Sequence, residues 1–216
     1  MFIGLLSLMV LFSGLLAIWS GYRKSPDLFY IFKPLTTVLI LLLPVLGCAD
    51  ISLYGGLIVG GLAFSLLGDI FLMLPGDRFL AGLSAFFAAH LLYISGFLVG
   101  LDFQVYWPGV VVFSLAGLAG WFLKDGLGDM KIPAYAYMGA ISLMVWLAWS
   151  RWISGSQIDQ LLGFLGAALF LVSDLVLAIN RFKIEFKASR ALDLITYYAG
   201  QWLIALSVIG LDRLGL

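Results

Sequence analysis

Eight times along this chain an apolar run gives way to a short polar break, and each run is close to the roughly 20 residues a helix needs to cross a bilayer core about 30 Å thick. The runs cover residues 2–20, 30–47, 52–74, 79–100, 106–123, 132–152, 159–180 and 191–211. They predict an all-α integral membrane protein of eight transmembrane helices, one polytopic membrane domain over residues 1–216. Hydrophobic residues make up 63% of the chain and charged residues 11%, which excludes a soluble domain with a polar surface.

The first run carries no Lys or Arg ahead of it and no small-residue cleavage site, so it is expected to stay as a helix rather than be removed as a signal peptide. Cys48, the single cysteine, has no thiol partner and reads as a small apolar residue at a helix end. Twelve basic residues balance twelve acidic ones, so no basic patch argues for nucleic acid. Their distribution is uneven. Ten of the twelve, Lys24 among them, fall in or beside the first, third, fifth and seventh loops, against Arg151 and Arg213 on the other side. The positive-inside rule then places those loops in the cytoplasm and both termini outside it, in the plasma (inner) membrane if the cell is bacterial.

Two carboxylates interrupt the apolar runs: Asp69 in SLLGDIFLML, 65–74, and Asp174 in FLVSDLVLAI, 170–179. A charge at the centre of a membrane helix costs roughly 3 kcal/mol and usually faces a bundle interior or water. Both helices run inward, which predicts the two at one level, about 10 Å below the cytoplasmic surface at 1.5 Å per residue. Tyr197 reaches a similar depth, with Gln201 and His90 a turn or more deeper. Asp193, Tyr197 and Gln201 recur every four residues and so line one stripe of the eighth helix, while His90 and Tyr93 form a neighbouring pair on the fourth. Asp69 and Asp174 facing each other across a few ångströms would hold one proton between them and work as acid and base. The structural alternative has each carboxylate bonding across helices, helped by Ser65 and Ser173. His90 reads either as a hydrogen-bonded packing residue or, with the two aspartates, as a metal ligand. Without further imidazole or thiolate ligands it is a poor zinc signal, and no metal or cofactor is expected. Lys33 and Arg190, at headgroup level, would meet a lipid phosphate or snorkel as anchors. GGLIVGG, 55–61, offers small residues for close helix packing.

FFAAHLL at 86–92 is echoed by YYAGQWL at 197–203, a spacing of 111, and Asp69 by Asp174, a spacing of 105. Lys33 and Pro34 pair more weakly with Lys131 and Pro133. Two readings fit these echoes: parallel four-helix repeats, 1–104 and 105–216, related by an axis along the membrane normal, or chance matches among apolar segments.

KPL at 33–35, LLGDIFLML at 66–74, GLSAFFAAHLLYI at 82–94, LVSDLVLA at 171–178 and TYYAGQWLI at 196–204 together resemble the motifs of the YhhN-like membrane family, the lysoplasmalogenases. The resemblance covers nearly all eight runs. It implies hydrolysis of the vinyl ether bond of a lysophospholipid, a lysoplasmalogen, with water, giving a fatty aldehyde and glycerophospho-ethanolamine or glycerophosphocholine. It carries the essential aspartates onto Asp69 and Asp174. Substrate binding and support would fall to Lys33, His90, Tyr93, Ser173, Asp193, Tyr197, Tyr198, Gln201 and Arg190. A vinyl ether is hydrolysed by protonation of the carbon beta to oxygen, and water captures the resulting oxocarbenium ion. One aspartate would be the acid, and the other the carboxylate that steadies the cation and activates water. Two other classes fit the same polar residues: a proton-coupled transporter of a small or lipid-like substrate, and a noncatalytic lipid-binding protein.

Overall fold

The computed structural model describes residues 2–23, 26–102 and 107–209. Eight helices account for nearly all of them: α1 (Phe2–Tyr22), α2 (Pro26–Gly47), α3 (Leu53–Met73), α4 (Phe79–Leu98), α5 (Pro108–Leu123), α6 (Lys131–Gly155), α7 (Ile158–Phe182) and α8 (Ser189–Ile209), with one 3-10 turn, Gly128–Met130. Their ends fall within four residues of the apolar runs. Seven are long and apolar enough to cross a membrane, and the chain is an integral, multi-pass membrane protein. The exception is α5, whose 16 residues reach only about 24 Å at 1.5 Å per residue. Pro108 opens it, where the missing N–H of proline costs no helical bond.

Helices α2, α3, α4, α6, α7 and α8 form a closed circuit in which each packs on the next and α8 returns to α2. Outside the circuit α1 lies on α2 and α8, and α5 on α6 and, more lightly, α7. The closest approach is between α7 and α8. A Cβ added at Gly166 would stand 2.6 Å from the Gly200 carbonyl oxygen, and one at Gly200 2.8 Å from that of Gly166. Backbone meets backbone there, as small residues allow between membrane helices. Gly61, within the GGLIVGG segment, takes the Tyr93 ring of α4 against its bare Cα.

The connections that hold most of the basic residues meet at one end of the bundle. Arg181 bonds Asp77, Lys183 Nζ lies 4.0 Å from Asp125 Oδ2, Tyr22 OH donates to the Lys187 carbonyl at 2.7 Å, and Arg190 reaches the Gly21 carbonyl. The hydrogen bond from Arg181, with help from the Phe79 N–H, holds the Asp77 carboxyl below the usual carboxylate range. At the far end Arg151 bonds the Val99 carbonyl and lies 4.7 Å over the Tyr54 ring. Lys24 and Arg213, counted in the charge distribution above, lie outside the described residues.

Candidate active site

Asp69 is 1% exposed, yet every oxygen of its carboxylate is answered. Oδ2 accepts from Thr37 Oγ1 at 2.6 Å and from Tyr197 OH at 2.8 Å, while Lys33 Nζ stands 3.4 Å from Oδ1. Thr37 follows Lys33 by four residues, so α2 turns both toward α3. This is how a buried carboxylate is tolerated: hydrogen bonds and a counter-charge replace water. Lys33, expected at headgroup level, is itself 8% exposed.

Asp174 is held differently. Its Oδ2 accepts from Tyr137 OH on α6 at 2.8 Å and lies 3.8 Å from His90 Nε2. His90 is fully buried, neither ring nitrogen has a hydrogen-bond partner among the described residues, and its ring sits 4.8 Å from those of both Tyr137 and Phe170. Phe170 is also 5.4 Å from the Tyr197 ring. One phenyl group thus stands between the ring that serves Asp69 and the ring beside Asp174. No hydrogen bond or ion pair joins the two aspartates among the described residues.

The stripe on α8 faces three different helices. Asp193 Oδ1 accepts from Ser173 Oγ of α7 at 2.8 Å, Tyr197 serves Asp69, and Gln201 faces α3 and α4. Tyr93 OH donates to Gln201 Oε1 at 2.7 Å, and Gln201 Nε2 to Ser65 Oγ at 3.0 Å. The two serines thus bond across helices, and neither serves the aspartate of its own helix. Tyr198 OH donates to the Lys33 carbonyl at 3.4 Å. Arg190 lies over the Phe29 ring, 5.6 Å from its centroid.

Two cavities adjoin this network. A polar one of about 830 Å³ lies at the basic end, lined by Lys33, Arg181, Lys187 and Arg190, with Glu185 and Asp193. The other, about 470 Å³, is an apolar groove walled by α5 on one side and by α4, α6 and α7 on the other, and Asp174 is the charged residue in its described lining. Both are of a size that takes a small ligand. They share Leu72, Phe79 and Leu177, and Leu177 lies one helical turn from Asp174. Asp69 and His90 line neither.

Thr37 and Tyr137, whose hydroxyls donate to Asp69 and Asp174 beside the Tyr197 already expected there, were not singled out by the sequence. The four-residue step from Lys33 could have marked Thr37. Tyr137, in AYAYMG at 134–139, carries no mark that separates it from Tyr135.

The YhhN family model matches residues 28–208. The chain is 32% identical over 200 residues to the uncharacterized membrane protein YhhN of Escherichia coli O6:H1, covering 92% of this chain and 96% of that one. It is 36% identical over 158 residues to lysoplasmalogenase TMEM86A of Bos taurus, covering 69% of this chain and 63% of that one. With lysoplasmalogenase TMEM86B of Sus scrofa it shares 36% over 162 residues, 72% of this chain and 64% of that one. The matched segment thus spans just under two thirds of either mammalian relative. No solved structure matches. By the extent of the family match and the near full-length bacterial relative, the chain belongs to the YhhN family.

Proposed function

We propose that this protein hydrolyses the vinyl ether bond of lysoplasmalogens, releasing a fatty aldehyde and a glycerophospho-ethanolamine or glycerophosphocholine. The observation that carries this reading is the meeting of a cationic cavity with an apolar groove one turn from Asp174. A lysolipid has that shape and polarity: its phosphate suits Lys33 and Arg190, its chain suits the groove, and its ether linkage falls between them. The lysoplasmalogenase names of the mammalian relatives point to the same substrate class.

Asp174 takes the acid role. Its Oδ2 accepts from Tyr137 OH, and its side chain lines the groove. Protonation of the alkenyl carbon beta to oxygen leaves a carboxylate on Asp174 beside the oxocarbenium ion. That carboxylate steadies the cation and takes a proton from the attacking water. The hemiacetal then collapses to aldehyde and the glycerol hydroxyl. Asp69, outside both cavities, positions Lys33 and Tyr197 instead of touching the alkene. The sequence divides acid and base between the two aspartates, and the cavities favour Asp174 for both. Aldehyde release from a purified lysoplasmenylethanolamine tests the reading, with Asp174→Asn beside the parent. No aldehyde from folded parent, together with substrate flux in proteoliposomes, would replace it with transport.

We infer also that the basic end faces the cytoplasm, as the charge distribution favours, and that the two halves are parallel repeats. Four helix packings have counterparts when each helix is exchanged with the one four later: α1 on α2 with α5 on α6, α2 on α3 with α6 on α7, α3 on α4 with α7 on α8, and α8 on α2 with α4 on α6, whereas those of α8 on α1, α8 on α3 and α5 on α7 have none of like extent. Asp69 and Asp174 change places in the exchange.

A further inference from the structure

The lining of the apolar groove extends well past Asp174. Along α7 its lining runs from Phe182 past Asp174 to Phe164, and along α6 from Ala134 past Tyr137 to Trp149. From Asp174 to Phe164 is ten residues, about 15 Å of helix. There the groove meets an aromatic stack: Phe164 lies 4.7 Å from the Trp149 ring and 5.6 Å from that of Trp152, nearly parallel to it at 7°. Trp149 and Trp152 stand 6.3 Å apart. Aromatic rings packed in mutual contact are large and hold a specific geometry, whereas between Asp174 and this stack α7 lines the groove with the aliphatic Ala168, Leu171 and Val172.

We propose that Phe164 and Trp149, backed by Trp152, set the longest alkenyl chain that fits with its ether linkage at Asp174. This rests on the reading above for the occupant of the groove, and it adds the residues that select among chains. The occupant follows from adjacency: the groove shares Leu72, Phe79 and Leu177 with the cationic cavity, so a chain whose head carries a phosphate would enter it from that end. The stack then meets the terminal methyl. A hydrophobic pocket discriminates by about tenfold or more per methylene it fails to fit, so the effect is a step in rate at one chain length. Ala168 lies one turn from Phe164 toward Asp174 and lines the same groove, which makes it the place where added bulk would shorten the space.

The test uses the full-length purified parent with Phe164→Ala, Trp149→Phe and Ala168→Leu. Aldehyde release is measured on lysoplasmenylethanolamines whose alkenyl chains lengthen two carbons at a time. In parallel, 1-acyl lysophosphatidylethanolamines of the same series, which have no vinyl ether, compete with a short-chain lysolipid that carries its fluorescent label on the head group. The parent should lose about tenfold in rate at the first over-long chain. Phe164→Ala should move that step to longer chains and Ala168→Leu to shorter ones. Trp149 Nε1 has no hydrogen-bond partner among the described residues, so Trp149→Phe removes bulk without removing a bond and should shift the step in the direction of Phe164→Ala. Competition should follow the same order. Hydrolysis with the step unmoved in the folded variants overturns the ruler and leaves the proposed reaction standing. Competition that shifts as described, with no aldehyde from any protein, keeps the ruler and removes the reaction. Competition without a length step in the parent overturns the ruler. Should Phe164→Ala not fold, an unchanged step in Ala168→Leu is enough to overturn it.

Discussion

Lys33 Nζ stands 3.4 Å from Asp69 Oδ1, with the two side chains 9% and 2% exposed. The pair is withdrawn from solvent and ties α2 to α3 beside Tyr197 of α8.

Removing one member of a buried ion pair strands the other. Lys33→Met should therefore lower stability by about 3–5 kcal/mol, while Lys33→Met with Asp69→Asn should recover much of the loss. Thermal unfolding of the detergent-solubilised proteins checks this, and a double variant no better than Lys33→Met would show that the pair matters for something other than charge compensation.

The two aspartates should separate kinetically. Asp174→Asn removes the proposed acid and should reduce kcat for aldehyde release by about 10²–10⁴-fold. Asp69→Asn should act mainly on KM, through a loosened Lys33, and Tyr137→Phe should cost about tenfold while leaving the fold intact. Steady-state kinetics on one lysoplasmenyl substrate reads all three. Equal kcat losses at Asp69 and Asp174 would return Asp69 to direct chemistry.

Gly166 and Gly200 hold α7 against α8 at backbone contact. Gly166→Leu should prevent that approach and sharply reduce the yield of folded protein, since overpacking a tight core contact costs about 1–3 kcal/mol or more. Gly139, on α6, has open space around its Cα. Gly139→Ala should be neutral or stabilising by up to about 1 kcal/mol through helix propensity. Size-exclusion profiles and unfolding midpoints compare the two.

Asp77 bonds Arg181, which lines the polar cavity, and the hydrogen bond from Arg181 depresses its pKa in the folded protein. A depressed carboxylate adds stability above its unfolded pKa and loses it as pH falls through the folded one. The difference in unfolding midpoint between parent and Asp77→Asn should therefore be present at neutral pH and close below the ordinary aspartate range. Both side chains are largely exposed, so the difference should be small and shrink in high salt. An undiminished difference at acid pH would show that the charge of Asp77 does not carry it.

The helices were legible because hydropathy and length are properties of the segment alone. The expectation of eight full crossings fails at α5, whose run meets Trp107 and Pro108 and leaves a helix shorter than the bilayer core. Within the site, Asp69 and Asp174 stood out because charge is rare in apolar helices. Hydroxyls do not stand out in that way. Thr36 donates to the Phe32 carbonyl of its own helix as well as meeting Ser13, while its neighbour Thr37 crosses to Asp69, and only the packing of α2 on α3 decides between them. Ser65 and Ser173 were assigned to nearby aspartates by proximity in sequence. Gln201 and Asp193 of α8 claim them in space.

Helix α5 contributes one whole wall of the apolar groove while resting chiefly on α6, and it supplies none of the residues that hold Asp69 or Asp174. That wall is interchangeable in a way the rest of the bundle is not. A graft of α5 from a relative would present a new surface to the lipid chain and leave the proton-handling residues where they stand, so substrate range and chemistry can diverge independently within one architecture.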